Sequence, residues 1–288
     1  MSSSIFICLI SGIFWALFDL TRKMSLKVIK PKILLLLFST LQIMIFLIWC
    51  INESFYFFIT PYFFPGLTLV LLGIFSAFIF LKSIKESELS LTIPLLSFSP
   101  LFSSFFSYLF LAETLNKQQY LGIFIIIFGT LFLYTKKLNL SHFLKSFQNI
   151  INSKSANLMI LVSFCWSLTP VLDKICLKYS SVNFHGLIQS ILTFIFLVIF
   201  SFKDLTALKK KRIRSLTLVF ITLCIGTFAT ILQFYAILFN FVPIMESIKR
   251  ATGQFSAVIF GRIFFNEKIT VQKIIGVSLL SYGVFLII

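Results

Sequence analysis

Glu246, Lys249 and Arg250 set one carboxylate three and four residues ahead of two cations, a spacing that brings all three to one face of a helix. Their chemistry is ion pairing or anion recognition: arginine offers a planar fork to a carboxylate or phosphate, lysine a compact point charge. Residues 251–261 carry no charge, yet they cover only about half of a bilayer crossing at about 1.5 Å per residue. A span that ends near Asn266 must therefore take in Lys249 and Arg250, and it reaches toward Glu246. Gly253 and Ala257 continue the stripe and would admit a ligand or a second backbone. Two readings stand. In one, the cluster is a charged cavity wall where Lys249 or Arg250 meets an anionic substrate group and Glu246 tempers the charge. In the other, the cations snorkel to the interface or pair with Asp19 or Asp173.

The remaining polar residues within apolar runs carry weaker signals. Trp15 and Trp166 lie deep in two runs and serve either as aromatic cavity walls or as packing anchors. Asp19 and Asp173 sit toward the ends of those runs as gating or coupling candidates, with Arg22 and Lys174 beside them as structural partners. Ser97 falls near the face of Pro100 and Ser104. Pro94 and Pro100 each free a backbone carbonyl that needs a partner or a water-filled cavity; packing through small residues is the alternative. Gln233, Tyr235, Asn240 and Gln254 are further lining candidates. Glu113 and Glu267 close corresponding runs, which suggests that each ties a helix end to the adjacent turn. Catalytic chemistry has little to work with. No nucleophile–base pair, P-loop, dinucleotide fingerprint or HExxH stands in the chain. His142 and His185 are too few for a metal cluster, and Cys8, Cys50, Cys165, Cys176 and Cys224 form no CxxC pair. Neither metal nor cofactor is implied.

These residues must be held by membrane spans. The chain is 59% hydrophobic and 12% charged over 288 residues, more apolar surface than a soluble domain can hide. Ten helical runs are expected, at 5–21, 33–51, 65–82, 89–111, 119–135, 156–173, 184–202, 215–238, 242–265 and 271–288, with Pro61, Pro65, Pro243 and the charged tracts at their connections. Residues 52–64, rich in Phe and Tyr, read as an aromatic belt at headgroup level. The first run reads as a retained span, since residues 1–4 carry no positive charge and no cleavage site follows. The net charge of +16 sits in short loops, which suits anionic lipid headgroups and not nucleic acid.

The runs repeat. A shift of 154 pairs Glu113 with Glu267, Gln118 with Gln272, Gly122 with Gly276 and Gly129 with Gly283, and a shift of 151 pairs Trp15 with Trp166 and Lys23 with Lys174. Five runs per copy is an odd number, so the second copy enters the membrane from the opposite side, an inverted repeat of the kind that supports alternating access. The loop charges agree: the first loop of copy one holds Arg22, Lys23, Lys27, Lys30 and Lys32 and its next loop none, whereas copy two reverses the bias. Odd-numbered loops hold twenty of the 25 Lys and Arg, which places both termini on the non-cytoplasmic face.

With these features the chain resembles the EamA-type branch of the drug/metabolite transporter superfamily. The resemblance rests on GIFWALF at 12–18, IPLLSFSPLF at 93–102, LAE ending at Glu113, Gly122 to Gly129, FCWSLTP at 164–170, IKR at 248–250 and FNEK at 265–268. It covers nearly the whole chain. It implies an all-α fold of ten transmembrane helices, as two inverted five-helix repeats around a central cavity: residues 1–137, a connecting loop at 138–155, and residues 156–288. It also implies transport of amino acids, other metabolites or drugs, often as export, and termini in the cytoplasm, against the charge bias. The small multidrug branch carries a mid-helix Glu in its first span; Phe14, Trp15 and Ala16 stand there, so that proton route is absent.

The combined expectation is a multi-pass inner-membrane secondary transporter, monomer or homodimer, for a small metabolite such as an amino acid or related organic acid. Trp15, Ser97, Trp166, Tyr235, Glu246, Lys249, Arg250 and Gln254 are its substrate-binding candidates, and Asp19 and Asp173 its gating candidates. Organic-anion or phosphate-ester exchange is the alternative within transport, and a non-transporting receptor or intramembrane enzyme the alternative outside it.

Overall fold

The computed structural model describes residues 2–86, 93–133, 154–201, 213–266 and 268–288. Ten α-helices occupy them: α1 Ser2–Ser25, α2 Pro31–Asn52, α3 Ile59–Glu86, α4 Ser99–Leu111, α5 Lys117–Leu133, α6 Lys154–Leu177, α7 Val182–Ser201, α8 Ile213–Phe239, α9 Val242–Phe265 and α10 Val271–Ile287. A 3-10 segment, Ile93–Phe98, leads into α4. Six helices (α1, α2, α3, α6, α7 and α8) are long and apolar enough to cross a membrane. Helix α9 matches them in length but carries Glu246, Lys249, Arg250 and Arg262. Large apolar side chains such as Phe64, Phe285 and Ile51 stand on the outside, while Ser11, Ser76, Ser103, Ser163 and Ser167 are buried. That inside-out distribution suits a lipid solvent, where small polar residues serve close helix packing.

Two sequence expectations need correction. Pro65 marks no connection; it lies inside α3, which begins at Ile59. Pro61 falls in the first turn, where an amide donor has no helical acceptor anyway, and Pro65 removes only the next bond back to Pro61. The run 89–111 is not one helix either. Pro100 has no N–H for the carbonyl of Leu96, and the backbone is 3-10 up to Phe98 and α-helical from Ser99. The freed carbonyl accepts a bond from the Ser163 hydroxyl of α6, at 3.3 Å. Pro170 does the same inside α6, where the Thr169 hydroxyl turns back to the Trp166 carbonyl, at 3.5 Å. The loop 138–155 lies almost wholly outside the described residues, as do Glu267 and His142.

The halves interleave. The most extensive contacts pair α5 with α10, α1 with α8, α3 with α6 and α2 with α7. Exchanging each helix with its counterpart five places on maps this set onto itself. The α5–α10 seam shows the sense of the relation. A Cβ on Gly122 would meet the Gly283 carbonyl at 2.7 Å, and one on Gly129 the Gly276 carbonyl at 2.9 Å. Residue number rises along α5 as it falls along α10, so these corresponding helices run antiparallel with backbones in contact. Only glycine permits that approach.

Candidate functional site

Between the halves lies a cavity of about 240 Å³. Helix α1 lines it with Trp15, Phe18, Asp19 and Arg22, helix α6 with Trp166 and Thr169, helix α8 with Gln233, and helix α9 with Lys249, Arg250 and Gly253; α2 and α3 complete the wall. Gly12 draws α1 against α9, since a Cβ there would stand 3.3 Å from the Lys249 backbone. Gly253 does the opposite: a Cβ there would meet nothing within 4 Å, so its absence adds room.

Glu246 is fully buried and organises the cations. Its carboxylate pairs with Lys249 and accepts two bonds from Arg250, at 2.8 and 3.1 Å. Ser99, at the start of α4, donates a further bond to it at 2.6 Å. Lys249 also donates to the Gln233 side-chain oxygen at 2.9 Å. The two cations then face the two tryptophans: Lys249 Nζ lies 5.5 Å from the Trp15 ring centre and Arg250 5.4 Å from that of Trp166, within the range of cation–π attraction. A buried ion cluster needs this degree of hydrogen bonding to offset desolvation. It is neither a snorkelling group nor a partner of Asp19 or Asp173, because Glu246 takes both cations itself.

Arg22 completes the charged wall; the sequence pointed to it only as the structural partner of Asp19, and that pair is formed. It also lies over Phe18 and Phe80, at 4.2 and 4.6 Å from their ring centres. Its position in a cationic tract concealed its place in the wall. The signal was the spacing of Trp15, Asp19 and Arg22, four and three residues apart on one helical face.

The remaining candidates lie elsewhere. Ser97 is buried in the 3-10 segment outside the cavity lining. Gln254 accepts from Thr130 at 3.0 Å, joining α9 to α5. Tyr235 packs on Trp49 and Phe239. Asp173 bonds His185 at 3.1 Å, and the other His185 ring nitrogen meets Tyr62 at 2.8 Å. Lys174, adjacent in sequence to Asp173, pairs instead with Glu113 at 2.7 Å. Glu113 also accepts the backbone N–H of Val242, at 2.8 Å, so it ties the end of α4 to α6 and to the start of α9. Its role is structural but longer in reach than a local turn. Among the described residues no cluster of three metal-ligating side chains occurs.

The arrangement offers charge, stacking surface and hydrogen-bond donors around a cavity between the two halves. No curated protein matches the chain. A solved crystal structure is similar to it with a TM-score of 0.67 over 99% of this chain and 96% of that one, at 13% identity, which shows a shared fold. The profile of the EamA-like transporter family matches residues 2–135 and again 154–288. The chain therefore belongs to the EamA-like transporter family, membrane proteins of the drug/metabolite transporter superfamily.

Proposed function

We propose that this protein is a secondary transporter that exports a small amphipathic metabolite, an amino acid or related organic acid, across the cell inner membrane by alternating access. The observation that carries the reading is the cavity, which draws Trp15, Asp19 and Arg22 from one half and Trp166, Gln233, Lys249 and Arg250 from the other. A site shared by two inverted halves opens to alternate sides when one half rocks against the other. On this reading all ten helices lie in the membrane as two five-helix repeats, 1–137 and 156–288.

The test is counterflow in proteoliposomes, preceded by a thermal-shift screen of the purified chain against metabolites. Accumulation of labelled substrate against an unlabelled internal pool supports the reading. Ligand binding without counterflow would leave a receptor instead. The cation-rich wall also favours organic-anion exchange, which trans-stimulated uptake separates from net export. Topology has its own measurement. The loop charges favour both termini on the non-cytoplasmic face, so GFP fused after Ile288 should stay dark in a bacterial host; a bright fusion would put that end inside.

A further inference from the structure

The cavity has more donors than acceptors. Among the described residues its lining carries Arg22, Lys249 and Arg250 against Asp19, and the buried Glu246 behind the two α9 cations brings the cluster to three cations and two carboxylates, a formal surplus of one positive charge. Two of its lining side chains also carry buried donors with no hydrogen-bond partner among the described residues, the indole N–H of Trp15 and the Nε–H of Arg22. Both groups can only donate, and a buried donor left unpaired is costly. The equivalent tryptophan shows what satisfaction looks like: Trp166 donates to the Ser76 hydroxyl at 3.0 Å.

Acceptors for a ligand ammonium are by contrast committed. Glu246 is fully buried behind Lys249 and Arg250. Asp19 is bound to Arg22, so an ammonium drawn to its other oxygen would stand beside a guanidinium. We infer that the site selects a monocarboxylate that lacks an α-ammonium group and carries one apolar or aromatic body, its carboxylate held beside Trp15 and Arg22, where a side-chain rotation uncovers their N–H groups to it, while its body lies among Phe18, Phe38 and Trp166. One negative charge cancels the surplus; a phosphate dianion exceeds it. The cavity's 240 Å³ is below the range of about 300–1,000 Å³ common for drug-sized ligands, which limits the body to roughly one ring with a short arm. The inference rests on the transport reading and narrows its substrate class from amino and organic acids to organic acids alone.

The experiment uses three probes that share a phenyl ring: phenylacetate, zwitterionic phenylalanine and cationic phenethylamine. Binding is read by isothermal titration on the full chain in lipid nanodiscs, and transport by counterflow in proteoliposomes. Phenylacetate should bind at least about tenfold more tightly than either other probe, the size of one charge-assisted hydrogen bond. Trp15→Phe keeps the ring and removes the N–H, and should weaken phenylacetate about tenfold. Arg22→Lys keeps the charge beside Asp19 and removes the Nε–H; it should weaken phenylacetate comparably, and serves if Trp15→Phe fails to fold. Equal or tighter binding of phenylalanine overturns the inference and leaves transport standing. So does absence of phenylacetate binding. Unchanged affinity in both variants overturns the donor assignment. Phenylacetate binding with the expected selectivity but without counterflow upholds the site and defeats the transport reading.

Discussion

The 3-10 segment with α4 and the first half of α9 occupy corresponding places in the two repeats, and they solve the same position with opposite chemistry. Leu95 and Leu96 stand where Lys249 and Arg250 stand in the second copy, and Pro100 where Gln254 stands. Both leucines are buried in an apolar cluster with Phe80, Leu81 and Met159. The backbone there is interrupted, and a hydroxyl from α6 satisfies the carbonyl that Pro100 leaves free. In α9 the helix runs unbroken from Val242 to Phe265, and the irregularity is electrostatic: a cation pair held by one buried carboxylate. One copy furnishes the packing and the other the charge, and the first even lends Ser99 to the second's Glu246. The pairing of the helices is symmetric, while the chemistry at this one position differs between the copies.

The largest expected effect comes from breaking the charged side alone. Glu246→Gln leaves Lys249 and Arg250 buried without their carboxylate, and should cost about 3–5 kcal/mol, read as a large fall in melting temperature or loss of the protein from the membrane fraction. Making α9 resemble its counterpart should do the reverse. The triple change Glu246→Thr, Lys249→Leu and Arg250→Leu installs the residue types of positions 92, 95 and 96. Removing a whole buried ion cluster in favour of apolar groups is often neutral or stabilising by about 1–4 kcal/mol. This variant should therefore stay folded and cease to transport. A folded triple variant that still transports would detach the cluster from function.

A middle-sized effect separates the fork from the charge. Arg250→Lys should preserve folding and weaken handling of anionic substrates about tenfold. Arg250→Ala should weaken it further, while neutral analogues change little. Intact transport in Arg250→Ala with a lower melting temperature would make Arg250 an ion-pair partner only. The smallest effect tests the apolar side. Ser163→Ala should cost about 0.5–1.5 kcal/mol through the lost bond to Leu96. After Pro100→Ala restores a backbone donor to that carbonyl, the same change should cost less than half as much in a double-mutant cycle. Equal cost in both backgrounds would mean that the proline and the serine are uncoupled.

Much of this contrast was legible in the residues. The limits of α9 follow from Pro243 in its first turn and from Asn266, which ends it in a left-handed conformation with φ 55°. The shared face of Glu246, Lys249 and Arg250 follows from helical spacing alone. What spacing cannot convey is which distant helix answers each group. Ser99, Thr130 and Gln233 reach α9 from separations of 147, 124 and 16 residues, and those meetings depend on how interleaved halves pack. Charge counting misled at Arg22, since a residue that terminates a span and one that lines its inner face look the same in a basic tract. Pro100 left two outcomes open, a partner or a water-filled cavity, and a serine from α6 supplies the partner.

The glycine seam between α5 and α10 has a consequence for origin. Its two contacts, Gly122 with Gly283 and Gly129 with Gly276, change places when the halves are exchanged. That is the signature of an isologous interface, one surface recognising a copy of itself about a two-fold axis. A single five-helix chain bearing such an α5 already holds the patch needed to pair with a second molecule. Fusion of two such chains would raise the effective concentration of that pairing without a new contact, and would free the partner copies to diverge, one toward leucine and the other toward lysine and arginine.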